Sequence, residues 1–538
     1  PLVYSEGSSE GNTSNQTDVS RREIADYFSS QQKGVEDKGG ENKGSNGFAV
    51  APGRSANGNA MLIINPHVSV YHRLEAHLVS EQENGLDVYG AVSKGQFFVY
   101  HGFNNYCGWM HTSSGTDTQD SFLETVTERN GKLQYQFGEE WRDIITRDIT
   151  LNFKRENGSK GERTYKVHYT HHGPIMARRG EYLVSLTPLH MPEKELEQEW
   201  KTMKAKGLED FKEVMSIRSN ATNNTVYADV DGNIAYWNGN FVPKRNPAHN
   251  WRSAVPSAPE NDWMGLHPLD EIIQVINPVT NYIQNCNSTP FLAAGTSSPQ
   301  PDDYPAYMTG HHHNPRAANA IRLLEAEDQF TPDSFRQMAY DNYLQLFDLM
   351  LPGLFDAFDR LPDGDEKKQL LGEAIALLKD WDQRASIDSE AVLLAEQFAR
   401  QVSRLSGKYM PQDTTMGMNQ ESYPNIVVAR DRMSAKDFLQ ALANAQESMI
   451  ENYGSISVPL GEINRFQRLQ DHPTRFDDDE PSIPSRFLSG FLGSLPAAGY
   501  ASPEGSKRKY FTGGNSFIAV MNFDAEQVEA WSIVGGGQ

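Results

Sequence analysis

Gly44-Ser45 stands where a polar stretch gives way to an apolar one, and a serine in that place can do unusual chemistry. A serine hydroxyl is a weak nucleophile without a base beside it. A serine at the start of a chain carries its own base, because an α-amino group titrates at about 7.7–8, close to working pH. Inside an uncut chain the Ser45 nitrogen is an amide and accepts no proton, so this chemistry requires the Gly44–Ser45 bond to be cut. Glycine suits the preceding position, since it tolerates strained backbone and leaves its carbonyl uncrowded. Two apolar segments later, Asn65-Pro66-His67 supplies an imidazole. Taken alone, these residues leave open an ordinary loop-to-strand junction and a turn histidine. Other signals are weaker. No H-E-x-x-H helix occurs, and the S-x-x-K matches at Ser30–Lys33 and Ser506–Lys509 have no apolar helix around them. His311-His312-His313 reads as a loop cluster, because three consecutive side chains diverge on any regular backbone.

Elements must position such a serine. Residues 5–46 are rich in Ser, Gly, Asn, Glu and Lys, and bury too little apolar surface to offset ordering, so 1–44 is expected to be a disordered spacer. From Phe48 the pattern predicts strands at FAVAP, AMLIIN, FFVYHG, 149–153, 164–170, 181–186, 225–230 and 233–239, with a hairpin turn at Asp231-Gly232. A helix is predicted over 194–216, with Phe211, Val214 and Met215 on one stripe. Helices dominate 316–405, where Leu370, Ala374 and Leu377, and then Ala391, Leu394 and Phe398, repeat at helical spacing. Another helix fits 434–451, and strands return at 515–523 and 528–534. Strands first, helices inserted, strands last: the order implies an α+β fold, one large antiparallel sandwich with a helix-rich insertion at about 316–451.

Composition narrows the function. The chain has 71 acidic against 49 basic residues, a net charge of −22 that repels phosphate backbones and argues against nucleic-acid partners. No apolar run is long enough to span a membrane. The two cysteines, Cys107 and Cys286, are too few for a disulfide framework or a zinc site.

The stretch SNGFAVAPGRSANGNAMLIINPH resembles the start of the catalytic β-chain in the penicillin acylase family of N-terminal-nucleophile amidohydrolases. Further segments continue in family order: LDVYGAVSKGQ (86–96), YCGWMHTSSGTD (106–117), HHGPI (171–175), VYADVDGNIAYWNGNFVPKR (226–245), IQNCNSTP (283–290), NPRAANAIRLLE (314–325) and TGGNSFIAVMNF (512–523). The Ser45-to-His67 spacing is similar to that of acyl-homoserine-lactone acylases. The resemblance implies an αββα fold of two antiparallel sheets, with 45–538 as the β-chain and 1–44 as spacer or the end of an α-chain.

It also implies roles. Ser45 would be the nucleophile, freed by autocleavage, and His67 would hydrogen-bond it. The backbone N–H of Ser113 and the side chain of Asn287 would form an oxyanion hole, with Asn285 as the alternative if the register slips by two. Arg316 would orient the asparagine and the substrate, and Val68 would line the acyl pocket. Some members bind one structural calcium; Asp117, Asp120 and the Pro243 carbonyl match its ligands, with Asp303 as a further candidate. No cofactor is implied for catalysis. The expected partners are the chain's own α-chain and a small acyl-amide substrate: an N-acyl-homoserine lactone first, a β-lactam or acyl-peptide amide second. A periplasmic or secreted bacterial location follows from the family. A catalytically silent, acylase-like binding scaffold is the alternative.

Overall fold

Gly44–Val50 forms the first strand, and all seven of its residues are buried. In a computed structural model the described residues are 44–537, apart from 83–84, 156, 189–190, 311–312, 410–428 and 470–474. Residues 1–43 of the expected spacer, with Ser30–Lys33, and His311 and His312 lie outside them; Gly44, expected to end the disordered spacer, is instead the buried first residue of the first strand, held by pairing with His67.

Burial of every residue in a strand requires cover on both faces. Gly44–Val50 lies between Tyr282–Asn285 and Ala60–Ser69, antiparallel to both. Ala60–Ser69 pairs in turn with Phe517–Phe523 and Lys509–Asn515, so the last strands of the chain close beside the first. This nine-stranded sheet faces a seven-stranded one centred on Cys107–Ser113 and Asn223–Asp229. Alternate residues serve the two faces. Ala49, Leu62 and Ile64 meet Met110, Val226 and Tyr236 between the sheets. Phe48, Val50, Met61 and Ile63 pack outward on Ala320, Leu324 and Phe335 of the helices Pro315–Ala326 and Pro332–Met338. Across the second sheet, Trp109, Tyr227 and Trp237 pack on Phe211 and Met215 of Leu208–Met215. The result is the αββα layering expected from the sequence.

Three local expectations change. The 194–216 helix is two helices, Pro192–Thr202 and Leu208–Met215. Asn104 Nδ2 donates to the carbonyls of Met203 and Ala205, which diverts the backbone between them. The FFVYHG strand starts late, at His101–Asn104, because Phe98 and Val99 turn inward while Phe97 stays 64% exposed. In the helical insertion, Glu366–Lys379 buries Leu371, Ala374, Ile375 and Leu378 rather than the stripe headed by Leu370.

A smaller sheet, which includes Ser121–Arg129, Ile175–Arg179 and Tyr182–Leu186, projects beside the sandwich, and the hairpin Ile145–Lys154/Lys160–Tyr169 leads into it. Among the described residues no helix is long and apolar enough to cross a membrane.

Leu370 is 57% exposed and Leu371 1%. Leu371→Ala is expected to cost about 2–5 kcal/mol in urea denaturation, and Leu370→Ala no more than about 0.5 kcal/mol.

Candidate active site

Strand register brings Gly44 opposite His67 and Ser45 opposite Pro66. The Ser45 hydroxyl donates to the Gly44 carbonyl at 2.5 Å, and the Ser45 backbone N–H donates to Asn287 Oδ1 at 2.7 Å. Arg316 sits in the first turn of Pro315–Ala326, capped by Asn314, whose side chain accepts from the Ala317 N–H. Arg316 Nη1 donates to the Ser45 carbonyl at 3.0 Å and to Asn46 Oδ1 at 2.7 Å, and Nη2 to Asn287 Oδ1 at 2.8 Å. Asn287 Oδ1 therefore accepts from both Ser45 and Arg316. Its Nδ2 donates to the Ser113 carbonyl at 3.1 Å, which leaves a second amide hydrogen.

Asn287 has φ 58°, a left-handed conformation that asparagine tolerates better than most residues. Asn285 holds the turn: its Oδ1 accepts from the Asn287 N–H at 3.0 Å and from Thr112 Oγ1 at 2.6 Å. Asn285 is thus a brace, and Asn287 is the asparagine that faces Ser45. Space at Gly44 is tight: a Cβ there would lie 3.0 Å from Asn287 Oδ1, 3.1 Å from Arg316 Nη2 and 3.5 Å from His67 Nδ1, so these side-chain ends would have to give by a few tenths of an ångström.

Burial, and next the Arg316 charge, hold the His67 imidazole well below its ordinary pKa, with Asn515 opposing. His67 is therefore neutral near pH 7. Ser45, His67, Val68 and Ser113 line a cleft of about 300 Å³. Its far wall carries Arg73, Tyr100, His101 and His111, which sequence reasoning missed. The available signal was a titratable residue inside an otherwise strand-like run, as in VYHG and WMHT. Arg73 is 6% exposed. Its guanidinium donates to Ser93 Oγ and lies 4.9 Å from the Tyr100 ring centroid, and among the described residues no carboxylate pairs with it. Burial lowers the Arg73 pKa to about 10. Burial also pushes His101 well below its ordinary range, helped by Arg73, and lowers His111 to about 4.

Asp117 and Asp120 come together, but around a cation the chain already supplies. Arg245, fully buried, donates Nε to Asp120 Oδ2 at 2.6 Å and Nη2 to Asp117 Oδ1 at 3.3 Å. Trp263 Nε1 donates to the same Asp120 oxygen at 2.6 Å. The rings of Trp251, Trp263 and Tyr307 enclose the guanidinium at 5.4–5.7 Å. Pro243 lies two residues upstream, bridged to Leu266, and Asp303 is exposed. A divalent ion between the two carboxylates would sit against the guanidinium charge. In this arrangement the residues fit arginine and do not fit calcium.

Two stacked antiparallel sheets between helices, with a serine at the start of an inner strand, define an N-terminal-nucleophile hydrolase fold. A family model described as penicillin amidase matches residues 4–538, and the chain belongs to that family. It is 28% identical over 388 residues to penicillin G acylase from Escherichia coli, covering 67% of this chain and 41% of that one. It is 25% identical over 382 residues to the acyl-homoserine lactone acylase PvdQ of Pseudomonas syringae pv. syringae, covering 64% and 48%. The chain spans less than half the length of each of these relatives. The solved structure of a thermostable penicillin G acylase from Alcaligenes faecalis superimposes with a TM-score of 0.64 at 19% identity, covering 91% of this chain and 90% of that one.

Two predictions follow from the buried charges. His67, His101 and His111 are neutral when folded and take protons near pH 6.5 when unfolded. The unfolded state therefore binds more protons below about pH 6.5, and stability falls from there toward each group's folded value, about 4 for His111. Melting temperature measured from pH 7 to 5 should decline, and less steeply in His111→Asn. Arg245→Met removes the counter-charge of two buried carboxylates and should cost about 3–5 kcal/mol. Millimolar calcium should leave the wild-type melting temperature unchanged and raise that of Arg245→Met.

Proposed function

We propose that this chain carries the nucleophile of an amide hydrolase that releases a carboxylic acid and an amine, and that it matures by cutting itself at Gly44–Ser45. The observation that supports this reading is the Ser45 hydroxyl lying against the Gly44 carbonyl, while the Ser45 N–H is held by Asn287. In the first reaction Ser45 Oγ attacks the Gly44 carbonyl carbon and its proton passes to the amide nitrogen. The C–N bond breaks, leaving an ester on Oγ and a free α-amine. Water then cleaves the ester and releases the Gly44 carboxylate.

The freed amine is the base for the second reaction. It takes the Oγ proton as Oγ attacks the substrate's acyl carbonyl. The backbone N–H of Ser113 and the second amide hydrogen of Asn287 hold the developing oxyanion, and Arg316 fixes the asparagine from behind. The amine product leaves with the proton, and water hydrolyses the acyl-ester by the same groups. His67, kept neutral, sits beside the new N-terminus and orients it without competing for its charge.

For the substrate, the Ser45-to-His67 spacing favours an N-acyl-homoserine lactone, with Val68 on the acyl side of the cleft. Arg73 favours the second class: a buried guanidinium with no carboxylate partner among the described residues suits a substrate that brings one, as a β-lactam nucleus does. The chain's own α-chain is the expected partner, and export to the periplasm the expected location.

Mass spectrometry of the purified protein should find a new N-terminus at Ser45, absent in Ser45→Ala, which should also lack amidase activity. An intact wild-type chain that hydrolyses nothing would favour the silent scaffold instead. Asn287→Ala, assayed in chains already cut, should lower kcat by about 10²–10³-fold, the usual loss for one oxyanion donor.

A further inference from the structure

A second cluster of titratable side chains lies on the smaller sheet, outside the machinery above. His171 and His172 occupy the tip of the turn joining Lys160–Tyr169 to Ile175–Arg179. Thr170 and Gly173 close that turn with reciprocal backbone hydrogen bonds of 3.0 and 3.3 Å. Gly173 has φ 145°, and a Cβ on it would lie 2.1 Å from the Leu186 carbonyl oxygen, so the turn depends on glycine. Adjacent side chains diverge on a strand; here the two imidazoles are neighbours, with centroids 3.8 Å apart.

Each ring is held from behind. His172 Nδ1 lies 2.9 Å from Glu124 Oε1, which also accepts from Thr170 Oγ1 and Ser185 Oγ. The Phe122 ring stacks on His172 at 3.6 Å. His171 Nδ1 lies 2.9 Å from the Tyr135 hydroxyl. Both Nε2 atoms then converge on one oxygen, Asp262 Oδ1, at 3.2 Å from His172 and 3.5 Å from His171. The three ligand atoms lie within 4.8 Å of one another.

Two ligands bonded to a tetrahedral zinc ion at about 2.0–2.2 Å stand roughly 3.3–3.6 Å apart, close to these separations. The hydrogen-bonding pattern points the same way. A ring nitrogen that faces an acceptor carboxylate must carry the hydrogen, so His172 Nδ1–H donates to Glu124. With that hydrogen on Nδ1, the His172 Nε2 lone pair is the one turned toward Asp262 and His171, and Glu124 is placed as the outer carboxylate that orients a ligating histidine.

We propose that His171, His172 and Asp262 bind one divalent transition-metal ion, zinc being the probe that fits two imidazoles and a carboxylate, with a fourth position open to water. The ion would tie the turn of the smaller sheet to the segment that follows Pro259–Asn261.

The test uses untagged protein freed of metal by a chelator and titrated calorimetrically with zinc chloride. One zinc per chain with micromolar or tighter affinity is expected, with a rise in melting temperature. His171→Ala leaves the Glu124 network intact and should weaken binding by at least the 10–100-fold, roughly, that loss of an outer partner costs. Asp262→Asn should do the same, while replacing His311, His312 and His313 together should leave affinity unchanged. No binding by the wild type at micromolar zinc, or equal affinity in the wild type and both ligand variants, would overturn the proposal.

Discussion

One amide oxygen, Asn287 Oδ1, links the parts on which the site depends. It accepts from the backbone of the first strand and from an arginine at the start of a helix, and it belongs to a turn after a third element. These bonds are only partly shielded from water, and a polar group left without its partner in such a place is costly. The site therefore exists only where strand, turn and helix are all in register. Gly44 belongs to the same constraint, since a Cβ there would press on Asn287 Oδ1 and Arg316 Nη2.

The sandwich supplies the rigidity that this arrangement needs. With both faces of the inner strands covered, a slip of one residue would exchange the residues packed on helix for those packed on sheet. Phe48 and Ala49 show the difference: the large residue faces the helices, and the small one faces the second sheet. The chain's last strands complete the same sheet, so the serine end is held by residues from the far end of the sequence.

Buried charge follows a consistent logic. Arg245 has two carboxylates and three aromatic rings around it, and Glu124 has a histidine and two hydroxyl donors. Removal of such groups from water is tolerated because partners replace the water. Arg73 stands apart, with a serine, a tyrosine face and an open cleft. Aspartates that match a calcium set in sequence serve an arginine in the fold, because ligand chemistry depends on which side chains finally converge.

Much was legible in the sequence: strand segments from their apolar runs, helices from their period, and the Asp231-Gly232 turn from its dipeptide, which joins Asn223–Asp229 to Ile234–Trp237. Element order implied one antiparallel α+β sandwich with a helical insertion, and the family likeness implied its four layers. Leu370 and Leu371 show the limit, since both fit a helical stripe and only the packing of neighbouring helices chose between them. Family likeness singled out Ser45, His67, Ser113, Asn287 and Arg316, whereas for His101 and His111 the only signal was a titratable residue in a strand-like run, and nothing in HHGPI showed that His171 and His172 would meet Asp262. By itself the sequence determined the local geometry available to each segment, because that depends on neighbours a few residues away. Only the tertiary structure decided which charges are paired, which imidazoles lose their protons and which side chains share a cleft, because those depend on contacts between residues hundreds of positions apart.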